Sequence, residues 1–209
     1  YSDAVTGVST SGGDDNDTIT FAAVTGGNAN GNKGNDNINV LGDLDGNASV
    51  FGGQGNDTIT FSGLVENANE IAGSIGVDII TFAKNVSTSK VLGNQDADTI
   101  TLSDLGTAVS IFGGKSTDTI SVQETSGSVI SGDKGDDTIA TTAATNSTMI
   151  MGGSGDDTVS IGAGDATGTG STINGGLGRD TVTVAGNSSF TIRSNQFKQP
   201  GGKSAENSS

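Results

Sequence analysis

Residues 52–60 read Gly-Gly-Gln-Gly-Asn-Asp-Thr-Ile-Thr, and close copies of this nonapeptide occupy residues 152–160 and 175–183. More degenerate copies bring the number of repeats to nine, each marked by an Asp with a glycine five residues before it. The nine aspartates are Asp17, Asp36, Asp57, Asp78, Asp98, Asp118, Asp137, Asp157 and Asp180. They lie 19 to 23 residues apart, and such a period is typical of a solenoid in which each repeat forms one coil.

The residues around each repeated aspartate have the periodicity of β-strands. After Asp57, Thr58 and Thr60 alternate with Ile59 and Phe61, so the apolar pair is predicted to face inward. A second strand is predicted by an aliphatic residue seven positions before seven of the aspartates. These residues are Val50, Ile71, Val91, Ile111, Ile130, Ile150 and Ile173. Each repeat therefore provides two short strands, one glycine-rich turn and one looser turn.

Stacking of these repeats predicts the architecture. One coil cannot bury its apolar side chains alone, whereas coils stacked about 4.8 Å apart bury a continuous aliphatic ladder. We predict an all-β parallel β-solenoid, or β-roll, of about nine coils that occupies residues 1–193 as a single domain. Residues 194–209 break the pattern and are predicted to form a C-terminal cap and a flexible tail.

The composition narrows the range of functions. The 209 residues include 24 Asp and Glu against 9 Lys and Arg, a net charge of −15, which argues against a nucleic-acid partner because phosphate contacts require a basic surface. The chain has no His and no Cys, which are common catalytic bases and nucleophiles, so we expect no enzymatic activity. No apolar run reaches the roughly 18 residues of a membrane span. Any metal must bind through oxygen ligands.

The three nonapeptides resemble the repeat of the RTX (repeats-in-toxin) calcium-binding β-roll, and the resemblance extends over about residues 12–184. It implies that Ca²⁺ ions lie between the turns of adjacent coils, with up to about eight ions between nine turns. The implied side-chain ligands are the nine aspartates. The implied main-chain ligands are carbonyl groups of turn glycines such as Gly52, Gly55, Gly152, Gly155, Gly175 and Gly178.

Electrostatics independently favours cations along this edge. Carboxylates stacked about 4.8 Å apart repel each other by roughly 1 kcal/mol per pair in water. Ca²⁺ takes six to eight oxygen ligands of the kinds that these turns offer. We therefore expect folding to be coupled to calcium binding. The metal-free alternative is that the aspartates only cap glycine turns.

Two departures from the RTX pattern limit where ions are expected. The second edge of each coil, for example residues 83–90, lacks the glycine–aspartate motif, which predicts ions along one edge only. The middle turns are also degenerate, because other residues replace the Gly or Asn that usually precedes the aspartate. We expect the weakest or empty sites at Asp78, Asp98 and Asp118.

These features together predict a structural or adhesive segment of a large extracellular surface assembly, such as a surface-layer protein or an adhesin. A requirement for millimolar calcium favours an extracellular or cell-surface location, and the RTX resemblance implies export by a type I pathway. A virion fibre or decoration protein, at the virion surface, is an alternative. A noncatalytic calcium-folding domain of a secreted enzyme is another.

Two outward-facing surfaces suggest further contacts. An apolar stripe of Phe51, Leu92, Phe112 and Met151 is expected to bind a protein partner or to mediate self-association. On the other wall, threonines such as Thr58 form a ladder similar to the threonine arrays of ice-binding solenoids. Asn37, Ile79 and Ala140 interrupt this ladder, so ice binding is a further alternative that the pattern favours least.

Overall fold

Parallel pairing between equivalent residues of successive repeats organises the molecule. The computed structural model describes residues 5–68, 70–143, 145–162, 170–185 and 191–193. Within them, strands pair in parallel with the strands one repeat away, as when Ile59 pairs with Ile38 on one side and Ile80 on the other. The predicted all-β parallel solenoid is confirmed. The proposed cap and tail at residues 194–209 lie outside the described residues.

The strands of the described residues, numbered in chain order, fall into three sets. The first set follows the repeated aspartates and forms one wall of the solenoid. It consists of β2 (Thr18–Phe21), β4 (Asn37–Val40), β7 (Thr58–Phe61), β10 (Ile79–Phe82), β13 (Thr99–Thr107), β15 (Thr119–Ser126), β17 (Thr138–Thr141), β20 (Thr158–Ile161) and β22 (Thr181–Val184). Alternate residues of these strands are buried, as strand periodicity requires.

The second set leads into the glycine-rich turns and forms the opposite wall. It consists of β1 (Val5–Gly13), β3 (Val24–Lys33), β6 (Ser49–Gln54), β9 (Glu70–Ile75), β12 (Lys90–Gln95), β14 (Ser110–Lys115), β16 (Val129–Lys134), β19 (Met149–Ser154), β21 (Thr172–Leu177) and β23 (Thr191–Arg193). The turns between this wall and the first form the aspartate edge of the solenoid. The opposite side, where the chain returns from the first wall to the second, is the second edge.

The second edge contains a third set of short strands, where the sequence predicted only a loose turn. These strands are β5 (Leu44–Asp45), β8 (Val65–Glu66), β11 (Val86–Ser87) and β18 (Thr145–Asn146). The long strands β3, β13 and β15 also pair with them and so continue from a wall into this edge. Leu44, Val65 and Val86 are buried here, which explains why the edge is ordered without a glycine motif.

The number of turns also differs slightly from the prediction. One strand follows each of the nine aspartates, and the nine strands are separated by eight intervals of about 20 residues. The solenoid thus has about eight turns instead of nine coils. The difference arises because a count of motifs includes both ends of the stack.

The core is a set of columns in which each side chain stacks on the equivalent residue of the next coil. Ile59, Ile80 and Ile100 are fully buried in the first wall, as predicted from the alternation at Ile59. In the next column, the rings of Phe61 and Phe82 are stacked with centroids 4.7 Å apart and an interplanar angle of 5°. The seven aliphatic residues predicted for the second wall are all buried as well.

Replacing Ile100 by Ala is expected to lower the free energy of unfolding by about 2–5 kcal/mol, because the substitution leaves a cavity in a fully buried column. Thr101→Ala, on the outward face of the same strand, is the control and should change it by less than about 0.5 kcal/mol. Urea denaturation followed by circular dichroism measures both variants. Equal losses would contradict the inward position of Ile100.

Candidate functional site

The repeated aspartates form a buried column along the inside of the aspartate edge. Eight of the nine side chains are at most 2% exposed to solvent, and Asp17, in the first coil, is partly exposed. This burial follows from their position, because each aspartate directly precedes a first-wall strand and lies where the turn enters the wall. The structure thus brings all nine predicted side chains into one column.

One oxygen of each carboxylate belongs to a hydrogen-bond ladder between coils. The amide of Asp17 donates to Oδ1 of Asp36 at 2.7 Å, and the same bond repeats along the column as far as Asp157 and Asp180, where the distance is 3.2 Å. An N–H donor to a carboxylate is a charge-assisted bond, stronger than a neutral one. The aspartates therefore tie each coil to the next.

The other carboxylate oxygen has no hydrogen-bond partner. In eight aspartates Oδ2 is completely buried and without a partner: Asp36, Asp57, Asp78, Asp98, Asp118, Asp137, Asp157 and Asp180. Burying an ionised carboxylate costs several kcal/mol unless a proton, a cation or hydrogen-bond donors compensate its charge. The single amide bond at Oδ1 is therefore insufficient to compensate a buried carboxylate. The column needs protons or cations to balance its negative charge.

Only glycine fits at the position five residues before each aspartate, because there is no room for a side chain. A Cβ atom at Gly93 would lie 2.3 Å from Oδ2 of Asp98 and 2.4 Å from the carbonyl oxygen of Gly113 in the next coil. Such contacts are too close for any side chain, whereas the backbone of Gly93 is not in the left-handed region. The unpartnered oxygen and a main-chain carbonyl of the neighbouring coil consequently border the same small space.

Two other positions of the turn are left-handed. Two residues before the aspartate, φ is positive at the glycines and also where Asp96 (+69°) and Ser116 (+76°) replace glycine, whereas Asp15 of the first coil is not left-handed. The position four residues before the aspartate is left-handed too, with +121° at Gly53 and +85° at Asn94. Its restriction to Gly, Asn, Asp and Ser was the sequence signal for this second bend.

A second ladder, which the sequence reading missed, runs along the outside of the turns. It is formed by the Asn or Asp that immediately precedes the repeated aspartate, and its Oδ1 accepts a bond from the amide of the equivalent residue in the next coil. The pairs are Asn16–Asn35, Asn35–Asn56, Asn56–Val77, Asp136–Asp156 and Asp156–Arg179. The ladder lacks Asn or Asp at Val77, Ala97 and Thr117, which are the degenerate middle turns.

At the second edge, buried serine hydroxyls form neutral hydrogen bonds. Ser128 is buried, accepts from the amide of Val109 and donates to the carbonyl of Ser126, and Ser89 and Ser171 make corresponding bonds. No column of carboxylates lies here in the described residues. The two edges therefore differ in charge, and among the described residues the buried carboxylate oxygens without a partner all lie on the aspartate edge.

Burial raises the pKa of six column aspartates, namely Asp57, Asp78, Asp98, Asp118, Asp137 and Asp157. The pKa is about 6 for Asp57 and Asp157, about 7 for Asp78 and Asp118, and about 8 for Asp98. Loss of solvation is the largest cause, the amide bond at Oδ1 partly opposes it, and the charges of neighbouring aspartates raise the pKa further. The highest values belong to the three middle coils.

The donor set of the aspartate edge suits a hard cation. Among the described residues, no three Asp, Glu, His or Cys side chains converge on one point, because the carboxylates are stacked one per coil. A cation would therefore be held by the unpartnered Oδ2 atoms together with main-chain carbonyls. Ca²⁺ accepts both kinds of oxygen, so the residues present fit this ion.

The outward apolar stripe lies on the second wall as predicted. Phe51, Leu92, Phe112 and Met151 are partly buried on its outer face, and the smaller Ser131, which lies between two of them, is buried. From Leu92 onward, this face forms part of a groove of about 820 Å³. Three residues of the stripe, Leu92, Phe112 and Met151, therefore form the floor of a concave surface.

Comparisons of the chain with protein-family models, with curated proteins and with solved structures found no match. The resemblance to RTX repeats accordingly rests on the motif, and the structure shows the coarser property, a parallel β-solenoid with turns of about 20 residues. Within the described residues, no helix is long and apolar enough to cross a membrane.

Without calcium, the free energy of unfolding is expected to fall as the pH rises from about 4 to about 8. A carboxyl with a raised pKa in the folded chain stabilises the fold below its unfolded value of 3.8, and this contribution is lost as the pH passes through the folded values of about 6 to 8. Urea titrations in the presence of a chelator at several pH values measure the slope.

Asp98→Asn removes the group with the highest of these pKa values and should make the slope shallower. Asp43→Asn, the same change of charge on an exposed side chain of the second edge, keeps an oxygen that can accept from the amide of Leu64 and should leave the slope close to that of the wild type. A free energy of unfolding that stays constant or rises over this pH range would contradict the conclusion that the column holds buried carboxylates with uncompensated charge.

Proposed function

We propose that the chain is a calcium-stabilised structural and adhesive segment of an extracellular surface assembly, with Ca²⁺ bound along the aspartate edge. The observation that supports this most directly is the set of eight buried Oδ2 atoms without a partner. A metal-free solenoid must protonate these groups or leave charges buried, and at neutral pH both cost free energy relative to the unfolded chain, in which the aspartates are ionised. A divalent cation compensates the charge of two neighbouring carboxylates at once.

In this proposal each part of the turn has a separate task. The amide bonds at Oδ1 fix the direction of every carboxylate, and the glycine five residues earlier leaves room beside Oδ2. The left-handed positions turn the backbone so that main-chain carbonyls face the same side. Bound calcium would supply positive charge and link neighbouring coils, which is a structural contribution and involves no catalytic step.

The proposed extracellular location follows from the calcium concentration that such sites require. Weak oxygen-ligand sites fill at the millimolar calcium levels found outside cells. A net charge of −15 and a rod of eight intervals, on the order of 40 Å long at about 4.8 Å per coil, suit a stiff spacer that is stabilised by cations. We propose a surface-layer protein or adhesin exported by a type I pathway, and no enzymatic activity. A virion fibre and the calcium-folding domain of a secreted enzyme are consistent with the same features.

Adding millimolar Ca²⁺ to chelator-treated protein at neutral pH is expected to raise the thermal unfolding midpoint. Each site adds about 2.7 kcal/mol when free calcium is 100 times its dissociation constant. Circular dichroism follows unfolding, and equilibrium dialysis counts the bound ions. An unchanged midpoint with no bound ions would contradict the proposal.

A pair of adjacent substitutions localises the effect. Asp157→Asn removes a buried column carboxylate and should reduce both the ion count and the calcium-induced shift. Asp156→Asn makes the same change of charge on the exposed neighbouring side chain, and it keeps an oxygen that can accept from the amide of Arg179. The second variant should respond to calcium like the wild type. Equal losses in both would indicate a nonspecific effect of net charge.

The outer face of the first wall supports ice binding as a second candidate function. Thr99, Thr119 and Thr138 are in register on successive coils, and none of their hydroxyls hydrogen-bonds within the described residues. Such a flat rank of free hydroxyls is a surface on which water could be ordered. Inhibition of ice recrystallisation by the calcium-loaded protein, lost in Thr119→Val, would support this candidate, and no inhibition by the wild type would contradict it.

A further inference from the structure

A groove with an apolar floor and a positive rim runs across the coils of the second wall. Its floor includes Leu92, Phe112 and Met151 together with turn glycines, and its volume is about 820 Å³. This is within the usual size range of binding clefts. Because partly exposed apolar side chains of neighbouring coils are contiguous here, the groove is a candidate interaction surface.

The rim of the groove is positive, although the chain is strongly acidic. Lys90, Lys115 and Lys134 line it, which is a third of the nine basic residues, and Asp133 is the single acidic residue of the lining. Lys115 and Lys134 are direct partners on adjacent strands and form no ion pair within the described residues. Two like charges placed in this way repel each other. The groove therefore offers a site for negative charge.

A second unusual surface lies on the aspartate edge, three coils before the centre of the groove. Ile75, Val77 and Ile79 are 42%, 49% and 47% exposed, so one turn holds three of the seven large apolar side chains that are exposed in the described residues. We call these three residues the ridge. In the preceding coil the same positions hold Gln54, Asn56 and Thr58. The fold therefore does not require apolar residues there.

The ridge and the groove are complementary in shape and charge. The ridge is a convex apolar turn with the exposed Asp96 in the next coil, beside Asp78. The groove is concave and apolar, and of its three bordering lysines Lys115 and Lys134 form no ion pair within the described residues. Protein interfaces commonly combine a central apolar contact with charges of opposite sign around it. A second copy of this chain supplies the matching surface without any further component.

We propose that the ridge of one copy docks in the groove of another. The two surfaces are different parts of the chain, so the contact is heterologous and leaves a free ridge and a free groove at the ends of every assembly. Association therefore continues beyond a dimer and forms open chains of solenoids. This goes beyond the calcium proposal, because the contact uses none of the column aspartates.

Analytical ultracentrifugation of the calcium-loaded protein tests this association. Measurements at physiological ionic strength are needed, since a Debye length of about 8 Å screens the repulsion between two copies of charge −15. The average mass of the wild type is expected to rise continuously with concentration past that of a dimer. A wild type that stays monomeric up to its solubility limit would overturn the proposal.

Two variants, each made with residues that other coils already contain, remove one surface at a time. Val77→Asn/Ile79→Thr copies the preceding coil and removes the ridge, and Phe112→Ser/Lys115→Ser copies Ser131 and Ser154 and removes the groove. Each alone should weaken association by about tenfold or more. Leu41→Ser/Lys33→Ser, which removes an exposed apolar side chain and a turn lysine elsewhere, is the control and should associate like the wild type.

Mixing the two variants gives the decisive measurement. The ridge variant keeps a groove and the groove variant keeps a ridge, so an equimolar mixture should form a one-to-one dimer and no larger species. A mixture that stays monomeric, or variants that associate like the wild type, would overturn the pairing of ridge and groove. Circular dichroism and calcium counts on the same samples separate this result from a failure of the calcium proposal.

Discussion

A buried carboxylate with one satisfied oxygen is the constraint on which the rest of the solenoid depends. The Oδ1 ladder holds each coil to the next, but it also places eight Oδ2 atoms where neither water nor a donor reaches them. The glycine column and the raised pKa values are consequences of that placement. The hydrogen bond that orders the stack thus also creates buried carboxylate charge that protons or cations must compensate.

The two edges of each coil solve the problem of buried polar groups in different ways. At the second edge, serine hydroxyls such as that of Ser128 donate and accept in neutral hydrogen bonds, and aliphatic side chains such as Val65 fill the interior. At the aspartate edge, the networks contain formal charge. A solenoid built from hydroxyls alone would be indifferent to its ionic surroundings, whereas this arrangement makes one side of the fold responsive to them.

The fold could be predicted from the sequence because parallel stacking repeats one environment many times. Ile59, Phe61 and Val50 each belong to columns that recur about every 20 residues, so a single misread repeat hardly affects the whole. The alignment of the aspartates was predictable for the same reason. The second edge was harder to read, since Leu44 and Val65 lie in segments of variable length with no fixed motif.

Other features depend on geometry that spacing does not reveal. Which oxygen of Asp98 accepts the amide bond, and how close Gly93 lies to the other one, are set by the turn in three dimensions. The outer Asn–Asp ladder was visible in the sequence only as polar residues before the aspartate. The groove depends on which side chains share one outward column of the second wall, where Ser131 lies between Phe112 and Met151.

The variable second edge also bears on how this molecule acquires its length. The residues from the second wall through the glycine turn to the first wall keep the same spacing in every repeat, so the difference between 19 and 23 residues falls on the return segment. Local insertions there leave the ladders undisturbed. Adding or deleting a whole repeat is equally neutral, because each coil contacts mainly its neighbours. Duplication of whole repeats can therefore change the length of the solenoid without altering the contacts between coils.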